Sequence, residues 1–423
     1  MRFKKAFIGL VAAGLLSGCG GDPARPEAPV GGAERPTASA SSTASIAAAP
    51  KTRLPVPGLY DTTRGWESDL PGTQLTLPHS EAVAVFRGGA DSGTFTVLDV
   101  ASGETLWTSR TLRAPGIISP LSVTVQGQDF LVASASGVAD AGVVSKGHDV
   151  TTIDILPARN SGAAVEPARH LVLDGSGVVA DGGGGLLVRT EDVVTTVDPA
   201  TGETKRYDLR ELRPPSALCT LCHAATVVAV TSRGPLLGTE SMFGSGHYWV
   251  PGGWSSGDLG AGREVFISLV AGDALVATWH DRATARDIWA VLDGATGKIR
   301  AKIDCEPPRG VISGNAKGAS LSAGGRYLVR EHTVFDLRQG TGHCYEETDQ
   351  DQPVHLTGVT DDGVAFGVAA SDDAPSGRPV VIDIATGKAE ASDHTAVPFG
   401  DYAGYGLFWD DATKTMVSYP HAK

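Results

Sequence analysis

The most reactive side chains in this sequence are two thiols and an imidazole, set out as Cys219-Thr220-Leu221-Cys222-His223. That spacing suits three chemistries. The thiols can hold haem vinyl groups with the histidine on iron, exchange electrons as a dithiol, or close a local disulfide. A haem of this kind needs a small helical pocket and usually a second ligand. The Gly- and Val-rich surroundings offer neither, so a structural disulfide is the expectation. Cys305 and Cys344 are a second pair. Leaving aside Cys19, which belongs to the N-terminal segment, four cysteines allow three pairings, and Cys219–Cys222 with Cys305–Cys344 is the favoured one. Gly253-Trp254-Ser255-Ser256-Gly257 has nucleophile-elbow spacing. That motif works only where a strand turns into a helix, and Asp258-Leu259-Gly260-Ala261-Gly262 is a poor helix. The eleven His show no close metal-ligand spacing. Phe243, Tyr248, Trp249 and Trp254 crowd one short stretch. Exposed, they would form a binding hot spot; packed inward, Tyr248 and Trp249 would be a degenerate strand. No catalytic constellation emerges, and neither a resident cofactor nor a metal is expected. The chain reads as a binding module.

The N-terminus gives an address. Arg2, Lys4 and Lys5 precede the apolar run from Ala6 to Leu16, followed by Leu16-Ser17-Gly18-Cys19. The run is too short to span a bilayer comfortably and is laid out as a secretory signal. Its last four residues resemble the bacterial lipobox, which implies removal of residues 1–18 and a lipid anchor on Cys19. Residues 19–52 are rich in Ala, Pro and Ser and read as a tether. The expected location is the extracytoplasmic face of the cell membrane, with a Gram-positive surface favoured. The formal net charge of −13 argues against nucleic-acid binding, which needs a basic footprint.

Residues 53–423 must position whatever the chain binds. Val97 to Trp107 reads as a strand, a tight turn and a second strand, with Asp99 bonding turn amides and Gly103 supplying positive φ. Copies of the turn start at Asp61, Asp198, Asp293 and Asp383. Asp336 carries a two-residue slip to Gly342, Asp154 an altered turn, and a hidden copy is expected near Tyr248. The copies recur at roughly 46 residues, the size of a four-stranded propeller blade. The expected fold is therefore all-β: an eight-bladed β-propeller of four-stranded blades. Seven blades is the alternative, if the Asp61 copy is only a tail. Closure is expected within one shared blade. Gly58–Asp61 and Trp66–Leu70 would supply its strands c and d, and Tyr405–Trp409 and Thr415–Tyr419 its strands a and b.

The Val-x-Asp-x-Ala-Thr-Gly pattern resembles the PQQ-like repeat of quinoprotein-dehydrogenase-type propellers, including BamB-like lipoproteins. The resemblance implies a tryptophan docked between blades at the eighth position after Asp. Only Trp107 stands there; Arg206, Ala301 and Ala391 occupy the matching positions. The superfamily holds enzymes and non-enzymes. A PQQ-dependent dehydrogenase of an alcohol or sugar is the alternative reading. The favoured one is a monomeric, membrane-tethered scaffold for an envelope or extracellular protein or a glycan.

Overall fold

The computed structural model describes residues 49–141, 146–213, 215, 225–239, 246–260, 265–306, 319–348, 351–370, 377–393 and 396–422. Their strands form eight sheets, one per blade. Blade 1 joins residues 400–420 to strand Trp66–Ser68. Blades 2 to 8 follow in chain order over residues 73–109, 119–174, 178–208, 226–249, 266–305, 320–344 and 354–391. Each strand pairs antiparallel with the next, so a is innermost and d outermost. Blade 5 shows three strands among the described residues, ending on Tyr248–Trp249. No helix among them is long and apolar enough to cross a membrane.

Continuous apolar runs arise because both faces of a blade are covered. In blade 2, Ala82, Ala84 and Phe86 pack with Leu131, Ala133 and Leu156 of blade 3. The alternate residues Val83 and Val85 pack with Tyr402, Leu407 and Met416 of blade 1. Each such large side chain contributes about 1.5–3 kcal/mol on burial. The connection between strands c and d of blade 3 adds Gly162–Val165 as a parallel strand on the outer edge of blade 2. That strand covers backbone groups an edge would otherwise expose.

The repeated turn joins strands c and d. Asp99 Oδ1 accepts the amides of Ala101 (3.0 Å) and Ser102 (2.8 Å), and Gly103 sits at φ 72°. Asp198, Asp293 and Asp383 make the same kind of turn. Asp336 does so without slip. Its carbonyl accepts the Gly340 amide at 2.8 Å, so Gly340 rather than Gly342 is the turn glycine. Arg338 and Gln339 replace the usual Ala and Thr or Ser and disguise the spacing. In blade 3, Pro157 pairs with Phe130 where Asp99 pairs with Ala82, so the side-chain cap is lost.

Closure divides the shared blade three to one rather than two to two. Gly400–Tyr402, Tyr405–Asp410 and Thr415–Pro420 are strands a, b and c, and Trp66–Ser68 alone is strand d. The segment expected as strand c, Gly58–Asp61, makes a single bridge, Tyr60 to His421. Gly400–Tyr402 has only three residues and no apolar run, which hid it in the sequence. Thr52 ties the N-terminal segment to this blade: its amide donates to Glu67 Oε2 (2.9 Å) and its carbonyl accepts the Tyr419 hydroxyl (2.8 Å).

Candidate binding site

The innermost strands and the turns after them enclose a central cavity of about 680 Å³ on one face of the ring. All eight blades contribute to its wall. Thr76, Thr124, Ser232, Ser320 and Thr357 bring hydroxyls, and Phe399 brings an exposed aromatic ring. Glycines such as Gly183, Gly184 and Gly272 open the wall to backbone groups.

The carboxylates in and around this wall are committed to the ring itself. Asp273 of blade 6 accepts the Ser232 amide of blade 5 at 2.8 Å. Asp361 of blade 8 accepts the Gly324 amide of blade 7 at 2.7 Å, and Asp129 of blade 3 accepts the Ser80 amide of blade 2 at 2.8 Å. Each acid lies in or just after an a–b turn and reaches back to the a–b turn of the preceding blade. Asp401, in strand a of blade 1, accepts the Tyr60 hydroxyl (2.8 Å) and lies 2.9 Å from Nε2 of His421. Nδ1 of His421 faces Asp362 at 3.1 Å. Burial, with Asp401 beside it, pushes the Tyr60 phenol far above its ordinary value. The bond to Asp401 raises the His421 imidazole above 6.5 against the cost of its partial burial. This arrangement suits recognition by hydroxyls, backbone groups, the exposed His79 and Gln126 side chains and one aromatic ring.

The sequence-derived candidates sit elsewhere. Tyr248 and Trp249 form strand c of blade 5 and are buried, as is Trp254. The reading of these three as exposed partner-binding aromatics is therefore replaced by a packing role. Phe243, Cys219, Cys222 and Cys19 lie outside the described residues. Cys305 and Cys344 are joined in a disulfide with their Cα atoms 5.8 Å apart, linking the outer strands of blades 6 and 7. Ser255, of the elbow-like sequence, bonds Asp258 and caps a short 3-10 turn over Ser256–Leu259.

Trp254 instead belongs to a docking series that alignment by position missed. Its Nε1 donates to the Gly294 carbonyl of blade 6 at 2.7 Å. Its ring covers Gly297, where an added Cβ would lie 2.5 Å from Cδ2. Trp66 treats blade 2 alike, donating to Val100 (2.8 Å) and covering Gly103. Trp107 donates to Ala158 of blade 3 at 2.7 Å. Arg169 reaches the Ala200 and Thr201 carbonyls and lies against Gly202 of blade 4. His343 lies against Gly387 of blade 8. The expectation that docking survives only at Trp107 is thus corrected. A flat nitrogen-bearing side chain from the outer part of one blade covers the c–d turn of the next, at whatever sequence offset the chain allows.

No protein-family model matches the chain, and no curated protein matches it. Solved structures similar to it include propellers. The β-propeller domain of Myceliophteria thermophila Cps50 (Swd1) is 11% identical over 84% of this chain and 98% of that one, with a TM-score of 0.39. The Dos1 propeller is 11% identical over 84% and 95%, with a TM-score of 0.38. U3-55K is 10% identical over 83% and 97%, with a TM-score of 0.37. The eight-bladed assignment rests on the strand pairing itself.

Proposed function

We propose that this chain is a non-catalytic, lipid-anchored propeller of the PQQ-like kind. It stands on the extracytoplasmic face of a bacterial membrane and holds a protein or glycan partner at the mouth of the central cavity. The observation that carries the binding role is the wall of that cavity. All eight blades line it, and its carboxylates hold backbone amides or the chain ends, leaving hydroxyls, Phe399 and the exposed side chains of His79 and Gln126 to face a partner. A carboxyl committed in this way is not free to take and return a proton as a general acid or base would. The indole-over-glycine docking supports the PQQ-like resemblance. The Leu16-Ser17-Gly18-Cys19 sequence supports the anchor.

A photo-crosslinking residue at Phe399, compared with one at exposed Val172 on the outer strand of blade 3, tests the site in cells. Adducts from position 399 alone are expected. Adducts from position 172 alone would move the partner to the outer wall. Dye reduction by purified protein given PQQ, calcium and an alcohol or sugar would overturn the non-catalytic reading. Cys19→Ala is expected to release the protein from the membrane fraction or leave it unprocessed; unchanged retention with normal maturation would remove the anchor.

A further inference from the structure

The two ends of the ring meet at a group of ionisable side chains whose bonding demands a proton. Both nitrogens of His421 face carboxylates, Asp401 Oδ2 at 2.9 Å and Asp362 Oδ2 at 3.1 Å. A neutral imidazole has one N–H and would turn a lone pair towards one of them. Only the imidazolium can donate to both. Around it stand Tyr60 from the N-terminal segment, its ring 5.3 Å away and edge-on, and Asp361 beside Asp362 in the same blade 8 turn. The Asp401 side chain is 5% exposed and Asp362 is 65% exposed. Backbone bonds lock the same place: the Ala422 amide donates to Leu59, and the His421 amide to Gly404.

We propose that this cluster is an acid-strengthened latch, in which protonated His421 clamps the last strand of the chain to blade 8 and to the strand that walls the cavity. On deprotonation His421 keeps its remaining N–H on buried Asp401, where an unpaired charge costs most. Asp362, open to water, is released. The contact between blades 8 and 1 then leans on packing through Phe366, Phe408 and Tyr419. The sign follows from the raised affinity of His421 for its proton. The latch contributes fully below the ordinary histidine value of 6.5 and is lost as pH rises through the higher folded value. Because Asp401 and Tyr402 line the cavity, the latch also sets the rigidity of one side of the proposed partner site. That consequence alone rests on the functional reading; the latch does not.

The test compares urea unfolding of the full chain, His421→Gln and Asp362→Asn between about pH 5 and pH 8. It also follows the His421 ring by NMR. The wild-type midpoint should fall with rising pH more steeply than that of His421→Gln. Asp362→Asn should lower the His421 titration midpoint, each unit being a tenfold loss of proton affinity, about 1.4 kcal/mol. Equal slopes in wild type and His421→Gln would overturn the proposal. Should His421→Gln fail to fold, Asp362→Asn decides alone: an unmoved His421 midpoint overturns the latch, and a lowered one supports it. Partner crosslinking from Phe399 is scored separately, so loss of the functional reading leaves this result intact.

Discussion

Docking across blades can be measured by a cycle on Trp254 and Gly297. Gly297 has φ 69°, where any residue with a Cβ is strained by about 1–2 kcal/mol. In wild type, Gly297→Ala meets a second cost, because the new Cβ would lie 2.5 Å from the indole and must push it aside. That displaces a side chain only 7% exposed and breaks the 2.7 Å bond to Gly294. Losing the bond alone costs about 1–3 kcal/mol if the carbonyl is left unsatisfied. Trp254→Ala removes the whole anchor, at about 3–5 kcal/mol. In that background the collision is gone, and Gly297→Ala should cost only its backbone strain. The two substitutions should therefore cost less together than the sum of their separate costs, by about 1–3 kcal/mol. Urea denaturation followed by circular dichroism on the four proteins gives this number. Additive costs within about 0.5 kcal/mol would mean that the indole does not hold the turn, and the docking account would fail.

Three more predictions concern the ring's other fastenings. Removing the chain from Thr415 onwards deletes strand c of the closing blade and strands Trp66–Ser68. Aggregation or loss of cooperative melting is expected; a stable monomer would refute closure. Deleting residues 20–48 should leave the melting curve unchanged, whereas extending the deletion through Val56 should lower it, since Thr52 and Leu54 bond Tyr419. Reducing the Cys305–Cys344 bridge, or replacing both residues with Ser, should cost about 2–4 kcal/mol in unfolding free energy. An unchanged urea midpoint would show that the bridge does not staple blades 6 and 7.

The fold was legible because the c–d turn has strict chemistry. An aspartate must reach turn amides and a glycine must take positive φ, so Asp99–Gly103 and its copies survive divergence. Docking was less legible because it needs a flat group at a place in space. Arg169 meets that need after an inserted strand has shifted the spacing. The inward packing of Tyr248 and Trp249 could not be separated from exposure by composition, since aromatic residues serve both ends. The cavity left almost no trace, being built from hydroxyls and glycines. The latch escaped notice because Tyr60, Asp362, Asp401 and His421 meet only once the ring has closed.

The docking series also has a direction. Trp66, Trp107, Arg169, Trp254 and His343 each come before the turn they cover, so each contact waits for a later stretch of chain. A protein emerging from its N-terminus therefore gains its blades as a queue, each newest member still uncovered. The seam runs the other way: Tyr419 reaches back to Thr52, 367 residues earlier. For a chain that is delivered as fast as it is made, that interval is on the order of tens of seconds. Throughout it, Trp66–Ser68 has no strand to pair with. The opening strand of this protein is thus the part with the longest exposure during biosynthesis, and whatever guards the nascent chain must guard that strand until the last one arrives.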